Sequence, residues 1–90
     1  MVTHTFEVVP AGWQHGQKIE GLGFEPFILD VPAFDHTDVE QAKSARRAYF
    51  TALSTLRHFE PEDFAVFEYF QHLDPARGRE VGPGGFKVAA

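Results

Sequence analysis

Five histidines, His4, His15, His36, His58 and His72, are the side chains in this 90-residue chain best suited to hold a metal or pass a proton near neutral pH. Their spacing matches no metal motif. There is no HxxxH or HExxH pair, and no cysteine to complete a mixed site or serve as a thiol nucleophile. Asp35-His36 and His72-Leu73-Asp74 are neighbours in sequence only, which leaves a folded cluster of His4, His36 and Asp35 as the combination open to the chain. No metal and no cofactor are expected. Ser44 and Ser54 fall inside a helical pattern, without the strand–turn–helix elbow that exposes a nucleophile. Glu68 lies among Phe and Val, where desolvation would raise its pKa, or it pairs with Lys18 or Arg79. Glu60, Glu62 and Asp63 read as a solvated acidic turn. Gly21-Leu22-Gly23 and Gly82-Pro83-Gly84-Gly85 lack the pattern and the following helix of a phosphate loop, so no catalytic role is expected.

The element that must position most of these groups is the stretch Thr37 to His58, which reads as one helix. Thr37-Asp38-Val39-Glu40 matches a capping box, in which the Thr37 hydroxyl accepts from Glu40 N–H and the Glu40 carboxylate accepts from Thr37 N–H. Asp38 and Glu40 suit the positive end of the helix dipole, and Arg57 and His58 the negative end. Ala42, Ala45, Tyr49, Ala52, Leu53 and Leu56 share the face that a sheet would cover. On the opposite face Lys43, Arg46, Arg47, Ser54 and Arg57 form a stripe beside Phe50, a surface that fits an acidic protein or a nucleic acid.

At 43% hydrophobic and 23% charged, the composition is that of one globular domain, not a disordered or coiled-coil chain. Ten Phe, two Tyr and one Trp are more large rings than so short a chain readily hides, which points to an aromatic interface. The net charge is −5, and it is segregated: residues 59–74 carry five acids and no base, while the helix stretch is basic. An acidic chain is a poor general binder of phosphate backbones. No window approaches the length of an apolar membrane span, and no signal peptide is visible, so a cytoplasmic protein without membrane contact is expected.

Thr3–Val9 alternates as a strand and stops at Pro10-Ala11-Gly12. A glycine-spaced loop follows, in which Trp13 and His15 are candidate contact residues. Phe24–Val31 reads as a second strand with Pro26 at its start, pairing antiparallel with the first, and Pro32 to His36 leads to the helix. Phe64–Leu73 fits a strand better than a helix because of its aromatic density, although Pro61 with Glu62 and Asp63 also forms a helix start signal. As a strand it places Ala65, Phe67, Tyr69 and Leu73 on one face, and Phe64, Val66, Glu68, Phe70 and His72 on the other. After the turn at Asp74 to Gly78, Arg79–Val81 begins a last strand.

The expected fold is α+β: a small three- or four-stranded, mainly antiparallel sheet with one long helix on one face, in the order β-β-α-β-(β). Residues 1–81 would form the single domain and 82–90 a Gly/Pro-rich tail or broken edge strand. The uncovered sheet face and the aromatic surplus point to a homodimer or a heterocomplex. In size and composition the chain resembles small accessory proteins of phages and mobile elements. The expected function is a non-catalytic protein-binding module, a small inhibitor or adaptor that works as an oligomer. One alternative is nucleic-acid binding through Lys43, Arg46, Arg47, Phe50 and Arg57. Another is sequestration of a small nucleotide-like ligand between protomers, with Trp13, His15 and Tyr69 as contacts.

Overall fold

The alternating N-terminal stretch becomes the centre of the molecule. A computed structural model describes residues 1–13, 23–69, 78–83 and 85–86. Its elements are β1 (Val2–Pro10), β2 (Phe27–Ala33), α1 (Asp38–Thr55), β3 (Phe64–Tyr69), β4 (Gly78–Gly82) and the two-residue β5 (Gly85–Phe86). The sheet order is β2-β1-β3-β4-β5 with every neighbouring pair antiparallel. This is the expected α+β architecture, a four-stranded open antiparallel sheet with one helix packed against it, lengthened at one edge by β5.

Side-chain alternation decides what the helix touches. His4, Phe6 and Val8 of β1, Phe64, Val66 and Glu68 of β3, and Val81 of β4 are all buried. The hydrophobic ones pack with Val31 against Ala45, Ala48, Tyr49, Ala52 and Leu56. Ala45, Ala48 and Ala52 are fully buried, so the helix backbone rides close to the strands. The expected helix face therefore needs adjusting. Ser44 and Ala48 are buried in it, while Ala42 and Leu53 are only half-buried.

Several boundaries differ from the sequence expectation. The helix ends at Thr55, not His58, because Leu56 takes the C-cap, donates its N–H to Ala52 O at 2.8 Å and drops into the core. Arg57 and His58 therefore lie beyond the helix and do not cap its dipole. The second strand starts at Phe27, not Phe24, and runs through Pro32 and Ala33. Pro32 is tolerated because β2 is the sheet edge, where one strand side needs no donor. Pro61 opens only a single 3₁₀ turn, Pro61–Asp63, in which the Asp63 carboxylate accepts from Glu60 N–H at 3.0 Å. The chain then enters β3, which settles Phe64–Tyr69 as strand. The remainder of that stretch, 70–73, lies outside the described residues.

Among the Phe, Tyr and Trp side chains whose burial is described, only Phe34 and Phe50 are exposed. Phe24 packs on Phe27 and edge-on against Phe59, with centroids 6.1 and 5.4 Å apart, at the end of the core. Gly23, with φ +94°, sits where a Cβ would come within 3.2 Å of the Phe59 ring, so no other residue fits there without strain. The sheet face away from the helix is not bare either: Glu7 and Val9 on it are buried, and Ala65 and Phe67 half-buried. Exposure on that face is concentrated at Thr3 and at Ile28, Asp30 and Pro32 of β2.

Two substitutions test this account. Phe6→Ala empties the centre of the core and is expected to cost about 3–5 kcal/mol. Thr37→Ala removes the helix cap and is expected to cost about 1 kcal/mol. Denaturant midpoints measure both. A larger loss for Thr37→Ala than for Phe6→Ala would show that the helix, not the sheet–helix contact, limits stability.

Candidate functional site

The close seat of α1 leaves its long side chains no place but the outer face. Lys43, Arg46, Arg47, Phe50 and Ser54 are all exposed there, and with Thr51 and Thr55 they line a shallow open depression. Phe50 is 53% exposed and rests edge-on against Tyr49, centroids 6.0 Å apart. Val39, 66% exposed, falls on the same stripe by the helical rotation. Arg57 does not join this surface: it is exposed, but it lies past the C-cap, where the helical rotation has stopped. Lys43 pairs with Glu40 at 3.6 Å. Among the described residues Arg46 and Arg47 have no ion pair.

A second depression adjoins the first, lined by Met1, Pro32, Ala33, Phe34, Glu40, Lys43, Ser44 and Arg47. Lys43 and Arg47 line both, so the two form one surface. Sequence reasoning missed Met1 and Phe34. The pairing Val2↔Ala33 is what brings the start of β1 and the end of β2 to the helix. The helix cap then fixes Phe34. Thr37 Oγ1 accepts from Glu40 N–H at 3.4 Å, as a capping box requires. The return bond differs from expectation: Thr37 N–H donates to Asp35 Oδ1 at 3.0 Å, and Glu40 Oε1 instead accepts from Phe34 N–H at 3.2 Å. The only sequence signal for Phe34 was a ring with no place in either strand pattern.

Beneath the helix the structure brings together His4 and His36, which sequence reasoning had grouped with Asp35, and adds Ser44, which it had considered separately. His4 Nδ1 lies 2.9 Å from Ser44 Oγ, and His4 Nε2 lies 3.1 Å from His36 Nδ1. His4 is buried and His36 exposed, with ring centroids 5.1 Å apart. Burial, and after it the neighbouring His36, hold His4 below its ordinary pKa. Asp35 turns to the cap instead, accepting from the Thr37 hydroxyl at 2.6 Å and from Thr37 N–H. These bonds hold its carboxyl below the usual range. Among the described residues no group of three His, Asp or Glu side chains is placed to hold a metal ion. The Ser44–His4 contact has the length of a nucleophile–base pair. Ser44 nevertheless sits inside α1 with its amide in the helix ladder, so it supplies no oxyanion donor. What the contact does is satisfy two buried polar side chains.

The polar layer continues along the sheet. Gln41 Nε2 donates to His36 O at 3.1 Å, and Gln41 Oε1 accepts from Arg79 Nη2 at 2.8 Å. Arg79 lies opposite Glu68 in the β3–β4 register, 3.8 Å from Glu68 Oε2, and stacks on the Phe86 ring at 3.5 Å. Both expectations for Glu68 hold together: burial pushes its carboxyl up, and the Arg79 guanidinium pulls it part of the way back. Trp13, half-buried, follows the end of β1 where Pro10 faces Phe64. Tyr69 closes β3 at its far end, about 3.3 Å per residue away. Trp13 and Tyr69 are therefore not gathered at one end of the sheet. His15, His72 and Lys18 lie outside the described residues, as does the Tyr69 side chain. His58 is exposed beyond the helix.

His4 and Glu68 give stability opposite pH slopes. The folded chain holds His4 below 6.5, so the unfolded chain takes the proton first and stability falls as pH drops through and below that value. The folded chain holds Glu68 above 4.5, so its ionised form costs stability, and acidification towards that value recovers the loss. Glu68→Gln is expected to raise the Tm at pH about 8 and to lose that advantage towards pH about 4.5. His4→Gln is expected to flatten the loss between pH about 7 and 5. Thermal melts across pH check both, and a Glu68→Gln variant less stable than wild type at high pH would contradict the desolvation account.

No helix is long and apolar enough to cross a membrane among the described residues. No family model matches the chain, no curated protein matches it in sequence and no solved structure matches it in fold, so the functional reading rests on the residues of this chain.

Proposed function

We propose that this protein is a non-catalytic binding module that docks an acidic protein partner on the outer face of α1, in the manner of a small inhibitor or adaptor. One observation carries the reading. Lys43, Arg46, Arg47 and Phe50 form an exposed cationic and aromatic surface that continues through Lys43 and Arg47 to the exposed Phe34. Arginine and aromatic side chains are the groups that most often dominate a protein interface. The chain as a whole carries a net charge of −5. That field repels a long polyanion but allows a local, shaped carboxylate contact. A protein is therefore favoured over nucleic acid as the occupant. Backbone pairing at the β2 edge is disfavoured by the exposed Asp30 and Pro32, so recognition runs through side chains.

The double variant Arg46→Glu/Arg47→Glu lies on the exposed face and should leave the melt unchanged. Binding of a fluorescent Glu/Asp-rich peptide, read by anisotropy, is expected to weaken at least about tenfold in the variant and to fall with added salt in wild type. A duplex oligonucleotide that binds wild type as tightly as the peptide would favour the nucleic-acid alternative. Light scattering on the same samples reads self-association, and a dimer that the double variant dissolves would assign the face to a second copy of the chain.

A further inference from the structure

The depression beside Phe34 offers more than charge. Half of its lining residues are apolar: Met1, Pro32, Ala33 and Phe34. Ser44 contributes to the lining, and its hydroxyl is already held by His4 Nδ1 at 2.9 Å, so it makes no demand for a new hydrogen bond. Lys43 and Arg47 also line it. Glu40, the one carboxylate there, already serves Phe34 N–H and Lys43, so the lining keeps an excess positive charge. At about 300 Å³ the space is at the lower end of ligand-sized pockets and fits a single large side chain better than a whole cofactor.

We infer that this depression is an anchor pocket for one large apolar side chain of the partner, Phe or Leu in size, flanked by carboxylates on the same segment. The inference rests on the docking reading above and names the chemistry of the partner. A segment laid across α1 places carboxylates on Arg46, Arg47 and Lys43, and its apolar residue enters between Phe34, Pro32 and Met1. Charge supplies attraction without choice among acidic segments, and the pocket supplies the choice. Phe34 is suited to such a wall. It is 77% exposed, yet its backbone is fastened by the Glu40 carboxylate at 3.2 Å, so the ring is presented on an ordered support. Burying it against a partner ring gains contact area with little ordering left to do.

The test uses two labelled peptides that differ at one position, an acidic segment with a central Phe and the same segment with a central Ser. Anisotropy titrations are run on wild type, Phe34→Ser and Arg46→Glu/Arg47→Glu, with melts to show that each is folded. Wild type is expected to prefer the Phe peptide by about tenfold, the size of a partly buried aromatic side chain. Phe34→Ser is expected to bring that preference below about twofold, weakening the Phe peptide far more than the Ser peptide. The double charge variant is expected to lose both peptides. Equal binding of the two peptides by wild type would overturn the anchor pocket and leave the docking reading standing, as would a preference that survives Phe34→Ser. Failure of wild type to bind either peptide would overturn the docking reading and the pocket with it.

Discussion

The close contact of α1 with the sheet is the constraint from which the other features follow. Ala45, Ala48 and Ala52 are fully buried over Phe6, Val8 and Val66. With Tyr49 the one large side chain of α1 between helix and strands, most of the bulk of α1 projects outwards. The same geometry that closes the core therefore gathers Lys43, Arg46, Arg47 and Phe50 in solvent. Tyr49 is the one large ring on the buried side, and it fills the gap against Phe64, with centroids 6.3 Å apart.

The helix is seated differently along its length. Its C-terminal half meets an apolar core through Tyr49, Ala52 and Leu56. Its N-terminal half meets a polar layer of His4, Ser44, Gln41, Arg79 and Glu68. Apolar packing is tolerant of small shifts, but hydrogen bonds of 2.8 and 2.9 Å are not. The polar layer thus fixes where the helix starts, and with it the linker that carries Phe34 and His36. Leaving any of these groups buried without its partner would cost more than the bond itself contributes.

Much of the fold was legible from local signals. The Thr37 cap, the alanine spacing and the alternation in β1 each act within a few residues, and together they define one helix on one sheet. What was not legible depended on contacts between distant positions. Ser44 looked like a polar residue on an indifferent face, and only its pairing with His4, forty positions away, explains its burial. Pro32 looked like a strand terminator, because the edge signal of Pro26 was read for the start of the strand alone. The basic stripe of the site was readable up to Arg57, whose exclusion follows from Leu56 turning into the core. Met1 and Phe34 could not be placed without the register of β1 against β2. Composition also could not say where the rings go: among the described residues Phe24, Phe27, Phe59 and Phe86 pack at the periphery of the core, while Phe34 and Phe50 are exposed.

The alanine seat has one more consequence, for how such a chain changes over generations. Positions 43, 46 and 47 take no part in closing the core, and Phe50 rests on it only at Tyr49, so they can be exchanged with little effect on folding. On the docking proposal, selection can then rewrite the partner while the scaffold is inherited intact. A helix seated on large interlocking side chains would tie its two faces together through packing strain. Here the two faces are separable traits, and a lineage can re-address the molecule one exposed residue at a time.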